Sequence, residues 1–105
     1  MKNKKKISQF RSVKEGFIEE LAKSKKSQKL YLKVAFEDYK KDGDLAAFLL
    51  ALRTLTLANG GFIELSKKTN LNRQTIYKAL SANGNPSFSL VEMVLKTLGM
   101  ELRIG

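Results

Sequence analysis

Apolar positions along the chain recur in short blocks at helical spacing, and each block ends on a residue type that stops a helix. Phe10, Val13, Phe17 and Leu21 repeat at three and four residues beside the capping-box spacing Ser12-Val13-Lys14-Glu15, which predicts a first helix weakened by Gly16. The polar run 23–29 (KSKKSQK) breaks the pattern. Leu32, Ala35, Phe36 and Tyr39 then form the stripe of a second helix, ended by Asp42-Gly43. Asp44 is placed to cap a third helix over 45–58, which is apolar on nearly every side as far as Arg53 and so belongs at the centre of a bundle. Gly60-Gly61 stops it.

A fourth helix over 62–68, a three-residue turn and a fifth helix over 73–80 follow, then the loop 81–86 (SANGNP). Ser89-Leu90-Val91-Glu92 has capping-box spacing for a last helix striped by Val91, Val94, Leu95 and Leu98, with Gly99 at the expected left-handed C-cap. Residues 100–104 (MELRI) alternate with period two, which predicts a short terminal strand. That strand either covers the helical core or pairs with another sheet edge, in a symmetry mate or in a partner protein. The expected architecture is all-α: a basic flexible tail over 1–10, then a single helical domain over 11–105. Its parts are N-terminal helices over 11–58, a helix-turn-helix and following helix over 61–99, and the strand.

Composition narrows the chemistry. The 105 residues include 20 Lys+Arg against 10 Asp+Glu, a formal charge of +10, with no His and no Cys. That removes thiolate nucleophiles, Ser-His-Asp triads, imidazole acid/base catalysis and Cys/His zinc sites, so no enzyme activity and no cofactor are expected. Glu37, Asp38, Asp42 and Asp44 cluster in sequence, but two serve turn and cap positions, and no metal site is expected there. The charge favours a polyanionic partner. Its distribution is uneven: residues 1–33 hold eleven basic and three acidic residues, a local +8, whereas residues 62–80 hold four basic and one acidic, a local +3. The basic start lacks the apolar run of a secretory signal, and the longest apolar stretch, 45–52 (LAAFLLAL), falls short of the roughly 20 residues that cross a bilayer, so a cytoplasmic protein with no membrane association is expected.

Segment 62–80, FIELSKKTNLNRQTIYKAL, carries the most chemistry. Two helices crossing steeply around a tight turn need apolar contacts, a small residue at closest approach and a turn residue that tolerates positive φ. Leu65, Leu71, Ile76 and Leu80 supply the first, Ser66 the second and Asn70 the third, with Asn72 at the next N-cap. Arg73, Gln74, Thr75 and Lys78 then face outward as candidate base-reading residues: Arg matches guanine O6 and N7, Gln matches adenine N6 and N7, and Thr offers a methyl to thymine. Lys67, Lys68, Asn72 and Tyr77 are the candidate phosphate contacts. A purely structural helical hairpin with solvated lysines fits the same spacing.

The wider pattern resembles a known family. YLKVAFEDYKKDGDLAAFLLALRTLTLANGG, ELSKKTNLNRQTIYKALSANGNPSF and LVEMVLKTLGMEL are similar to prophage-type addiction-module antidote proteins related to the HigA antitoxins, with a helix-turn-helix of the lambda-repressor or XRE class over 61–80. The resemblance covers residues 28–104. Two positions depart from the usual pattern: Asn70, where Gly is common, and Phe62, where a polar residue often opens the helix. The resemblance implies a cytoplasmic, homodimeric repressor that binds double-stranded operator DNA of its own operon and neutralises a RelE/HigB-like toxin. The alternatives are a stand-alone prophage regulator without a toxin, and a toxin-binding module that does not bind DNA.

Overall fold

The computed structural model describes residues 14–102, which form six helices. Residues 14–22 belong to α1; α2 is Lys25–Asp42, α3 Leu45–Ala58, α4 Gly61–Thr69, α5 Arg73–Ala79 and α6 Phe88–Thr97. Ser12 and Val13, with the predicted cap of α1, and the basic tail 1–10 lie outside the described residues. In α1 the inward residues are Ile18 and Leu21, whereas Phe17 is about half exposed and sets its ring 5.7 Å from that of Tyr31.

The core centres on α3, where Leu49, Leu52 and Leu55 are fully buried. Its outer side is less apolar-packed than the sequence predicts, since Leu50 and Leu57 remain exposed. Asp44 caps α3 as expected, its Oδ1 accepting the Ala47 N–H at 3.0 Å, and Asp42 Oδ1 accepts the Asp44 N–H at 2.9 Å. The chain leaves α3 through Gly60 and Gly61, whose φ values of 102° and 86° lie where a Cβ is strained. This corner turns α4 by 89° from α3. It brings Leu65, Ile76 and Leu80 into one core with Leu49, Leu52 and Leu55 of α3 and Val91, Val94 and Leu95 of α6.

Three local readings are corrected. First, the polar run 23–29 is largely helix: α2 starts at Lys25, capped by Ser24 Oγ accepting the Ser27 N–H at 3.1 Å. Its polar residues serve a tertiary network. The Lys25 ammonium donates to Leu98 O at 2.6 Å, Asn59 Oδ1 at 3.0 Å and Gln28 Oε1 at 3.4 Å. Asn59 Nδ2 donates to Gln28 Oε1 and Leu55 O, and Gln28 Nε2 to Leu21 O. The C-terminal carbonyls of α1, α3 and α6 thus converge on one cluster, where their partial negative charge suits the ammonium. Gln28 is 2% exposed, so Gln28→Leu strips partners from Leu21 O and Asn59 Nδ2. A loss of about 1–3 kcal/mol is expected, read as a lower midpoint in thermal denaturation followed by circular dichroism; an unchanged midpoint contradicts the network.

Second, the cap of α6 is Ser87, whose Oγ accepts the Leu90 N–H at 3.1 Å; Ser89 sits inside the first turn. Two serines two residues apart both satisfy a capping pattern, and the box reading chose the one followed by Glu92. Third, of the strand expected over 100–104, residues 100–102 form none and the rest lie outside the described residues. The alternation has another cause. The Gly99 N–H reaches Lys96 O at 3.0 Å and the Met100 N–H reaches Leu95 O at 2.8 Å, the paired bonds of a Schellman ending with Gly99 at φ 77°. Met100 is therefore buried as the apolar closure of that motif, and Leu102 packs against the core edge with no neighbouring strand among the described residues.

Candidate nucleic-acid interface

The α4–turn–α5 segment is fixed by short-range bonds. Asn70 adopts φ 60° and ψ 23°, the left-handed conformation Asn tolerates better than most non-glycine residues. Around it, the Ser66 hydroxyl donates to Leu71 O, Thr69 Oγ1 donates to Leu65 O at 2.8 Å and accepts the Leu71 N–H at 3.3 Å. Ser66 is therefore small and also polar for a reason: its hydroxyl satisfies a carbonyl in the turn. Asn72 caps α5, its Oδ1 accepting from Gln74 N at 2.8 Å and Thr75 N at 3.3 Å. Leu65, Ile76 and Leu80 are buried and Leu71 is partly buried, as their spacing requires.

With Ile76 and Leu80 inward, helical geometry turns Gln74 and Lys78 to the opposite side and Thr75 to a flank, whereas Arg73 shares the angular sector of Ile76 and Leu80 and is exposed as the first residue of the helix. All four are exposed, and among the described residues no hydrogen bond or ion pair engages their side chains. Lys67 and Lys68 are exposed in the last turn of α4, where they also offset the negative end of that helix. The predicted phosphate contacts differ in availability. The Oδ1 of Asn72 is occupied by capping, which leaves Nδ2 as its donor to an outside group.

Tyr77 is the position that sequence spacing described least well. Its ring meets Phe62 edge-on at 5.3 Å, and the Arg53 guanidinium lies over it at 5.1 Å from the centroid. Arg53 Nη2 also donates to Tyr77 Oη at 3.3 Å. This stack joins α3, α4 and α5 and gives Phe62 a structural reason to be aromatic. Arg53 was not among the predicted site residues; the available signal was its standing as the lone charge in Leu45–Ala58.

Among the described residues no group of three or more Asp and Glu is arranged to hold a metal, and no single helix is long and apolar enough to cross a membrane. Of the acidic cluster, Asp42 and Asp44 are engaged in the turn and cap, and Glu37 pairs with Lys40 at 3.2 Å.

Comparison with known proteins adds a family. Residues 15–105 match the family described as probable addiction module antidote protein. A Haemophilus influenzae relative, described as an uncharacterized protein, is 34% identical over 41 residues, 39% of this chain. The match spans 42% of that relative's own length. No solved structure matches.

Proposed function

The chain belongs to the family of probable addiction module antidote proteins, and from this membership we propose that it is the antitoxin of a toxin–antitoxin module, binding both a toxin and DNA. In this reading it is a cytoplasmic homodimer of XRE-type helix-turn-helix subunits that represses its own operon, and the toxin is RelE/HigB-like. It acts by binding and not by catalysis. The observation that carries DNA recognition is the exposed part of α5: Gln74, Thr75 and Lys78 stand unengaged away from the buried Ile76, and Arg73 is exposed at the N-terminal end of the helix. Arg and Gln read major-groove edges in bidentate fashion, and Lys supplies charge beside them. Two-fold symmetry would place two such helices roughly 34 Å apart, one turn of DNA. Support for a protein partner comes from Leu30 and Val34, one turn apart on α2 and both more than half exposed.

The test is titration of the duplex upstream of its own gene. Arg73→Ala and Gln74→Ala are each expected to lower affinity by roughly tenfold and to relax preference at one base pair. Lys67→Ala is expected to weaken all sequences alike and to lower the salt slope by about one. If both α5 variants keep wild-type affinity and preference, α5 is not the reading helix. For the antitoxin role, the product of the neighbouring gene is co-expressed with the protein. Failure to co-purify, together with undiminished toxicity, counts against neutralisation of that product.

A further inference from the structure

We propose that Arg53 and the Tyr77 hydroxyl form a phosphodiester clamp on the flank of α5, a contact made from α3 and separate from the base-reading face. The inference rests on the DNA-binding reading above. Arg53 is the one charged residue of α3, and it is not a partner in either ion pair seen among the described residues, Lys23–Glu20 and Lys40–Glu37. Its guanidinium is instead held by an aromatic face and a hydroxyl, at 5.1 Å from the Tyr77 centroid and 3.3 Å from its oxygen. Such a contact positions the cation without neutralising it. Arg carries five N–H donors, so one bond to Tyr77 leaves several for an outside acceptor.

Tyr77 completes the pair. Its oxygen accepts from Arg53, which leaves the hydroxyl hydrogen to donate elsewhere. The neighbouring cation strengthens that donor by polarising the O–H bond. The ring's movement is limited by Phe62, whose ring meets it edge-on at 5.3 Å. Two donor groups of fixed separation, one cationic and one neutral, suit the two non-bridging oxygens of a phosphodiester.

Position favours the same ligand. Ile76 and Leu80 face the core and Gln74 and Lys78 face away from it, so Tyr77 lies on the side of α5 between those directions. When a helix enters a major groove, its flank meets the sugar–phosphate wall while its outer face meets base edges. Arg53 and Tyr77 would therefore fix the depth and tilt of α5 and contribute equally on all sequences.

The experiment measures binding of a fluorescent mixed-sequence duplex about two helical turns long across a series of salt concentrations, with thermal denaturation of each variant. Arg53→Gln is expected to weaken binding about tenfold and to lower the slope of log affinity against log salt by about 0.9, because one phosphate contact no longer releases its counterion. Tyr77→Phe keeps the ring and is expected to weaken binding by a few-fold with the slope unchanged, since a neutral donor displaces no cation. Arg53→Lys retains the charge and is expected to preserve the slope while losing part of the affinity. If Arg53→Gln binds DNA with the wild-type slope and only its denaturation midpoint falls, Arg53 is a structural staple and the clamp is overturned. If the wild-type protein binds neither this duplex nor its upstream DNA, the DNA-binding reading fails, and the clamp fails with it.

Discussion

Ile76→Ala is expected to lower the unfolding free energy by about 2–4 kcal/mol, the usual cost of emptying a fully packed aliphatic site. Ile76 is fully buried and is the point at which the seven-residue α5 is tied into the core. A helix of that length has no stability of its own in water. Leu65 and Leu80 share the same core cluster and are themselves fully packed, which limits how far they can collapse into the space left. The melting temperature should fall by about 10 °C or more for a domain of this size. A shift of only a few degrees would mean that the α4–α5 corner is packed differently from the arrangement described above.

Gly84→Ala is expected to be nearly as damaging, for an unrelated reason. A Cβ built at Gly84 falls 2.1 Å from Ala79 O, 2.7 Å from Ala79 C and 2.9 Å from Lys78 O. These are backbone atoms at the end of α5, so no side-chain rotation relieves the overlap. Gly84 is absent from the residues with positive φ, so its role is close approach and not a special dihedral. Alanine must push the 81–87 loop off the helix and disturb the bond from Gly84 N–H to Ser81 O at 2.8 Å. A cost of about 1–3 kcal/mol is expected from overpacking of this kind. The matched control is Gly16→Ala, where a Cβ meets nothing within 4 Å and the added methyl favours the helix. Thermal denaturation of the pair should move in opposite directions, and a Gly84→Ala midpoint at or above wild type would refute the close approach.

Those two residues mark where the sequence is legible and where it is not. Ile76 could be assigned inward because 3.6-residue periodicity and the turn chemistry at Asn70 and Asn72 agree, and each rests on neighbours in the chain. The same holds for Asp44, Gly60-Gly61 and Gly99, whose capping and turning roles are local. Gly84 reads in sequence only as part of a loop, since the atoms that exclude a Cβ there depend on how the loop folds back over α5. Lys25 and Gln28 look like solvated polar residues until Asn59 and Leu98 are brought beside them. Arg53 and Tyr77 are 24 positions apart, and nothing in either segment announces the other. At 100–102 the alternation misled because a period of two reports that Met100 and Leu102 face inward, whereas a strand also needs a partner for its backbone.

The exposure of Arg73, Gln74, Thr75 and Lys78 was legible for a related reason: no hydrogen bond or ion pair among the described residues uses their side chains. Once Leu65, Leu71, Ile76 and Leu80 are assigned inward, Arg73, Gln74, Thr75 and Lys78 are what remains of α5 apart from Tyr77 and Ala79. Their placement required only the helix and its cap, and the structure leaves them exposed.

The lysine-centred junction of three helix ends also constrains when the protein can finish folding. One acceptor of the Lys25 ammonium, Leu98 O, lies 73 residues away in the chain. Synthesis must pass residue 98 before the ammonium has its full set of acceptors, and closing so long a loop is entropically costly without the core to support it. The junction therefore closes only when the far end of α6 is in place, because the carbonyl that completes it belongs to the residue just before Gly99.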